Sequence, residues 1–246
     1  MRLFITSYQK SGTHQIVPMF TPDCPDVVDR SHVDWVNVPK RYGLNTEINQ
    51  KGVVETCKNL RTFQYGASRA FGHLAHRPEY ARVFMETSTK VIFNVRDPRD
   101  IVVAEYRNAQ RKFALDSTDM PLWNYYDSEA GKFLYDHDDP IKELIILASA
   151  RWVQWIGWLN YDFVLKVKYE DLRLDTVNEV DRIRTWLDEK ECFSAEIMVK
   201  KAKPAKNNPT FRRGTPGEWM AVFTPENKVL ADCLLGDIID ILGYKR

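Results

Sequence analysis

Residues 3–16 read LFITSYQKSGTHQI. Large apolar residues, Leu3, Phe4 and Ile5, open the stretch. Gln9-Lys10-Ser11-Gly12-Thr13 breaks it, and Ile16, Val17 and Phe20 resume at helical spacing. That is the pattern of a strand, a tight turn and a helix. Such a turn aims several backbone N–H groups at one point and supplies Lys10, Ser11 and Thr13 there, the parts of an anion site suited to phosphate. It is not a Walker A loop, because the lysine precedes the glycine. Taken alone, the stretch reads equally well as an ordinary strand-to-helix turn with an exposed lysine.

Outward from this turn the chain alternates strands and helices. Residues 21–52 hold Pro22, Pro25, Pro39 and Trp35 without periodicity and read as a long excursion over the strand ends. Val53–Leu60 reads as a short helix, Ala70–Leu74 as a strand ending near His73, and Pro78–Glu86 as a helix with proline at its favoured first position. Lys90–Val95, KVIFNV, is the clearest buried strand, followed by a helix from Pro98 to about Phe113. An acidic, aromatic segment, 113–140, reads as a second loop. Ile141–Leu159 is predicted as one long helix, Phe163–Val167 as a strand, and Thr176–Leu187 and Ser194–Lys201 as helices. A basic loop, Lys203–Trp219, leads to a helix over Pro225–Leu242, with Thr224 as N-cap and Gly243 past its end. The expected fold is α/β: a single domain, 1–246, with a central parallel sheet flanked by helices on both faces. Ligands of such sheets sit beyond the strand C-terminal ends.

Bulk properties narrow the function classes. A chain of 246 residues with 44% hydrophobic residues is long enough for a sizeable core, and a net charge of +1 gives no overall pull toward nucleic acid or an anionic membrane. Charge is local instead. Lys200, Lys201, Lys203, Lys206, Arg212 and Arg213 form a basic run, and Asp116, Asp119, Asp127, Glu129, Asp136, Asp138 and Asp139 an acidic one. Cys24, Cys57, Cys192 and Cys233 form no C-x-x-C pair, which argues against a zinc site or a disulfide framework and fits a reducing compartment. No apolar run approaches the roughly 18 residues that mark a membrane span. The expectation is a cytoplasmic protein without membrane or nucleic-acid partners; a homodimer is neither required nor excluded.

Four charged sets fall after predicted strands or in the basic loop: Lys10–Thr13, Arg96-Asp97-Pro98-Arg99-Asp100, Tyr169-Glu170-Asp171, and Arg212-Arg213-Gly214. In a parallel sheet the first three share one rim. Each arginine alone reads as a surface ion pair; together with a phosphate-type turn they suit a ligand with more than one anionic group.

These residues resemble a known family. Ser7-Tyr8-Gln9-Lys10-Ser11-Gly12-Thr13 is similar to the P-K-S-G-T-T-W phosphosulfate loop of cytosolic and bacterial sulfotransferases. Val95–Val103, VRDPRDIVV, resembles their 3′-phosphate element, and Lys168-Tyr169-Glu170-Asp171-Leu172 their K-Y-E-D-L element. Phe211–Trp219, FRRGTPGEW, with Phe223-Thr224, resembles R-K-G-x-x-G-D-W…F-T, and Gly72-His73-Leu74 the G-H-L-P segment. The five occur in family order and span nearly the whole chain.

The resemblance implies a P-loop-like nucleotide-binding architecture and transfer of a sulfuryl group from 3′-phosphoadenosine 5′-phosphosulfate (PAPS) to a hydroxyl or amine of a small-molecule acceptor, with PAP as product and no metal. Lys10, Ser11, Gly12, Thr13 and His14 would hold the phosphosulfate. Arg96, Arg212, Arg213 and the Gly214 backbone would hold the 3′-phosphate, with Tyr169 near the adenine. Lys10 would stabilise charge on the leaving oxygen, and His73 would take the acceptor proton, with His76 the runner-up. The loops 21–52 and 113–140 would frame the acceptor.

The chain departs from the pattern at three places. His14-Gln15 replaces Thr-Trp, where the family's Trp stacks on adenine. Ala104 stands where a Ser of the family contacts the 3′-phosphate, a loss that would either weaken binding or be offset by Arg99 or Arg213. Ala75 replaces the Pro of G-H-L-P. Two other readings remain at this level: a nucleotide-dependent kinase using Mg²⁺ at Asp97 or Asp171, and a non-catalytic nucleotide-binding relative.

Overall fold

The computed structural model describes residues 2–8, 10–20, 34–35, 50–62, 69–114, 138–188, 194–202 and 214–246. Nearly all of the two expected acceptor loops, 21–52 and 113–140, lies outside these residues, as do Arg212 and Arg213 of the basic loop. The chain forms two compact units: Met1–Val38, Val53–Arg96 and Gly157–Gly214 make the first; Pro39–Gly52, Asp97–Ile156 and Thr215–Arg246 make the second.

The first unit holds the sheet. Its described strands are β1 (Arg2–Ser7), β2 (Asp34–Trp35), β3 (Arg69–Gly72), β4 (Thr89–Val95) and β5 (Val164–Lys168). They lie in the order β2-β3-β1-β4-β5, and every pair is parallel. The expected α/β architecture with a parallel sheet is therefore present, and β1, the strand before the lysine turn, is at its centre.

Alternation along the strands supplies two apolar faces. Leu3 and Ile5 of β1, Ile92 of β4 and Val167 of β5 pack with Ile16, Val17, Met19 and Phe20, which follow the turn in one helical turn, α1 (Thr13–Ile16), and a 3₁₀ turn, Val17–Phe20. Leu172, Val180, Ile183, Leu187 and Met198 close this side. They come from α6 (Tyr169–Leu174), α7 (Thr176–Leu187) and α8 (Ala195–Ala202). On the opposite face the Phe4 ring lies 5.1 Å from Phe84 of α3 (Pro78–Glu86), and Phe84 lies 5.6 Å from Trp158. Burying each such side chain contributes about 1.5–3 kcal/mol. Helices thus cover both faces, and α2 (Gln50–Thr62) buries Val53, Cys57 and Leu60.

The second unit is helical: α4 (Pro98–Ala114), α5 (Pro140–Trp152), the short α9 (Trp219–Val222) and α10 (Pro225–Leu242). α4, α5 and α10 pack on one another. Asp139 caps α5 by accepting from Lys142 N at 3.0 Å, and Thr224 caps α10 by accepting from Asn227 N at 3.2 Å. At the far end Gly243 adopts φ 79°, and its N–H and that of Tyr244 return to Asp240 O and Ile239 O, each at 2.9 Å. This is the paired-bond ending expected of a glycine past a helix.

One expected element is shorter than predicted. The helix over 141–159 ends at Trp152, and a 3₁₀ turn covers Ile156–Asn160. Trp152, Trp155 and Trp158 repeat at intervals of three, which suits a 3₁₀ turn as well as an α-helix. At Gly157 a Cβ would overlap the His76 ring, so this backbone runs too close to its neighbour for a side chain.

Candidate active site

Strand register gathers the chemistry. Thr6 pairs with Gly72, Ser7 with Asn94, and Val95 with Lys168. The described residues that follow these positions, Tyr8, Lys10–Thr13, His73, Arg96 and Tyr169, therefore share the rim at the strand C-terminal ends. The chain leaves β1 toward β3 and returns on its other side at β4, the switch point where open parallel sheets bind ligands.

The turn after β1 is held in an uncommon conformation. Lys10 has φ 63° and Gly12 φ 87°. A left-handed non-glycine residue costs about 1 kcal/mol and persists only where its surroundings enforce it. Those surroundings are specific: Ser11 N donates to Tyr8 O at 3.2 Å, Asn94 Nδ2 to Ser11 O at 2.6 Å, and an Arg96 terminal nitrogen to Lys10 O at 3.3 Å. At Gly12 a Cβ would overlap the Tyr169 ring, so glycine is required both by its φ and by this close approach.

Arg96 and Tyr169 form the wall beside the turn. The Arg96 guanidinium lies 4.8 Å from the Tyr169 ring centroid, and Tyr169 Oη donates to Gly214 O at 3.1 Å. Arg96 is only 6% exposed, yet its Nε has no hydrogen-bond partner among the described residues, and the same holds for the fully buried Ser11 Oγ. An unsatisfied buried polar group costs about 1–3 kcal/mol. Both groups belong to the strained lysine turn or to the arginine that bonds it.

His73 follows β3 directly and is turned onto the end of β1. Its Nδ1 lies 2.8 Å from Ser7 O and 3.4 Å from Ser7 Oγ. A carbonyl can only accept, so Nδ1 carries the proton in this bond. In the neutral ring Nε2 then bears the lone pair a general base needs. His76 is held differently: Nε2 lies 3.1 Å from Tyr161 Oη, and the ring meets Trp158 edge-on at 5.1 Å. Burial pushes its pKa below the ordinary histidine value, against a smaller upward pull from Glu79. The sequence runner-up is therefore packed into the aromatic cluster behind the rim.

Other sequence candidates prove structural. Within the second unit Arg99 forms a two-pronged pair with Asp97, at 3.0 and 2.7 Å, donates to Lys245 O at 2.6 Å and stacks 3.9 Å from the Trp219 ring centroid. These contacts tie Arg99 to the end of the chain and to Trp219. Asp100 accepts from Gly217 N at 2.6 Å and Trp219 N at 3.0 Å, so the Gly217-Glu218-Trp219 part of the last motif is fastened by its carboxylate. Gln15 is buried, and its amide donates to Leu172 O at 3.2 Å; at the position of the family's stacking Trp this chain has a side chain turned into the fold.

The described residues thus bring together Lys10, Ser11, Gly12, His73, Arg96, Tyr169 and Gly214. Thr13 and His14 are placed by their backbone in α1; Arg212 and Arg213 lie outside the described residues. Sequence reasoning missed Asn94, although an asparagine inside the otherwise apolar KVIFNV was a signal for it. It also missed Thr6 and Trp158, which carry no local signal.

Comparison with known proteins identifies the family. A family model described as a sulfotransferase domain matches residues 1–233. Among solved structures, mouse sulfotransferase SULT7A1 complexed with PAP superposes with a TM-score of 0.63 at 18% identity, covering 97% of this chain and 84% of that one. Retinol dehydratase in complex with androsterone and inactive cofactor PAP gives a TM-score of 0.54 at 17% identity, covering 100% and 83%. A comparison with curated protein sequences gives no match. The structural likenesses show the fold; the family match, running through nearly the whole sequence, shows that the chain belongs to the sulfotransferase domain family.

Proposed function

We propose that this sulfotransferase moves a sulfuryl group from PAPS to a hydroxyl or amine of a small-molecule acceptor. The observation that carries the reading is the rim where the strained Lys10 turn, the unsatisfied Ser11 Oγ and Arg96 Nε, and the His73 ring meet. The residue types suit such a donor: a cation, a hydroxyl and a guanidinium gather at one turn. PAP in the solved sulfotransferase SULT7A1 and in retinol dehydratase supports the choice of donor. The androsterone of the latter supports a small acceptor.

PAPS supplies the transferable sulfuryl group. Lys10 places a positive charge where the leaving oxygen becomes negative, and preorganised charge of this kind acts without reorganisation during the reaction. Arg96, with Arg212, Arg213 and the Gly214 backbone, binds the second anionic group. Thr13 and His14 join Lys10, Ser11 and Gly12 around the first. Tyr169 braces Gly12 on one side and Arg96 on the other, which supports its place in the donor site. His73, with its proton fixed on Nδ1, takes the acceptor proton at Nε2.

We further propose that residues 1–246 act as one domain, a reading supported by a family match that crosses both units. Its acceptor is framed by 21–52 and 113–140. Its proposed site of action is cytoplasmic; no described helix is long and apolar enough to cross a membrane.

The test is transfer of label from radiolabelled PAPS to a panel of phenols, alcohols and amines. Parent protein should transfer label, and Lys10→Ala should lower kcat by about 10²–10³-fold, the cost of removing one preorganised group that stabilises developing charge. A Lys10→Ala protein as active as the parent would refute the role given to the lysine.

A further inference from the structure

Two residues outside every motif converge on the segment that carries His73. Leu74, next to it, is fastened at both of its main-chain polar atoms. Its N–H donates to Thr6 Oγ1 at 3.1 Å, and its carbonyl accepts from Thr6 Oγ1 at 3.1 Å and from Trp158 Nε1 at 2.9 Å. One threonine hydroxyl thus uses its single proton and a lone pair on the same partner residue. Thr6, Leu74 and Trp158 are all fully buried, so each of these bonds is made away from water.

The arrangement continues the sheet by other means. The last ladder pair of β1 and β3 is Thr6 with Gly72. Past it, residues 73–77 have no regular secondary structure. The Thr6 side chain takes over the role of a strand partner two residues further on, and the indole N–H closes the second valence of the Leu74 carbonyl. His73 lies between the last ladder pair and this clamp, with its ring on Ser7 O.

We propose that Thr6 and Trp158 are positioning residues that set His73 for proton abstraction. This rests on reading His73 as the general base. A base works only within about 2.6–3.2 Å of the proton it removes. Loss of the hydroxyl leaves a buried N–H without its partner, and a segment with no secondary structure of its own then shifts. The clamp acts on the step that uses His73 and not on the grip of the Lys10 turn, whose carbonyls are held by Asn94 and Arg96.

The experiment compares Thr6→Val, Thr6→Ser, Trp158→Phe and His73→Ala with the parent. For each, kcat is measured at saturating PAPS with an acceptor the parent turns over, and PAP affinity by titration calorimetry. Thr6→Val, which keeps the shape and removes the hydroxyl, should lower kcat about tenfold or more, since misplacement of a catalytic group by an ångström costs up to 10²-fold. PAP affinity should stay within about twofold, and Thr6→Ser should recover most of kcat, because it restores the hydroxyl. Trp158→Phe removes the N–H and keeps a ring; it should lower kcat in the same direction and carries the test if Thr6→Val does not fold. Parent-like kcat in Thr6→Val and Trp158→Phe, with His73→Ala inactive, would overturn the proposal and leave the base reading standing. Equal losses of kcat and PAP affinity would overturn it as well, as a general defect of the fold. Parent-like activity of His73→Ala would overturn the base reading and the clamp with it.

Discussion

At Gly12 one added methyl group separates a working turn from a distorted one. Its φ of 87° disfavours any L side chain, and a Cβ there would overlap the Tyr169 ring, which also stacks with Arg96. Gly12→Ala should therefore weaken PAP binding by about tenfold or more and lower stability by at least about 1 kcal/mol, because a left-handed residue and a ring displacement are both imposed. Calorimetry and a denaturant titration read the two effects; an alanine protein binding PAP as tightly as the parent would mean the turn does not touch the donor. His76 offers a test of packing behind the rim. Its folded-state pKa is held below the ordinary value of 6.5, mainly by burial. The unfolded chain then binds a proton more readily than the folded one as pH falls through that value. The stability tied to neutral His76 is present above about pH 6.5 and lost below it, since ∂ΔG/∂pH follows the excess of protons bound by the unfolded state. The melting temperature of the parent should fall more between pH 7 and pH 5 than that of His76→Gln.

At the scale of single elements, α10 is the best-defined helix, because sequence and geometry agree at both ends. Thr224→Ala removes the N-cap and should cost about 1 kcal/mol. Gly243→Ala places a side chain at φ 79° and should cost about 1 kcal/mol more. The two ends are separated by a helix of 18 residues, so the double variant should lose their sum to within about 0.5 kcal/mol in urea unfolding. This helix was legible in the sequence because capping is local chemistry. The same is true of β4, whose Val91, Ile92, Phe93 and Val95 reflect burial on both faces, and of the lysine turn. β2 and the short α6 were not legible. The first is two residues in a segment without periodicity, and the second follows Lys168 in a stretch whose charges dominated its reading. The end of α5 was missed because a three-residue repeat of tryptophans fits two kinds of helix. Thr6 and Trp158 were beyond reach for a different reason: their bonds to Leu74 join residues 68 and 84 positions apart, and nothing local announces them.

In the molecule as a whole, a parallel sheet, a strained lysine turn at its centre and a histidine fastened to the same strand end make up the proposed donor site for a doubly anionic nucleotide. On the resemblance, Gln15 and Ala104 stand where two donor contacts of the family would lie. Arg99 is bonded to Asp97 and Lys245. The proposed function therefore places donor recognition on Lys10, Ser11, Arg96, Arg212, Arg213 and Gly214. The most direct measurement is the melting temperature with adenosine 3′,5′-bisphosphate in the absence of metal, against that with ATP and Mg²⁺. The account predicts a rise of several degrees with the bisphosphate at about 100 times its Kd, where ligand binding contributes about 2.7 kcal/mol, and a much smaller one with ATP–Mg²⁺. A larger rise with ATP–Mg²⁺ than with the bisphosphate would contradict it.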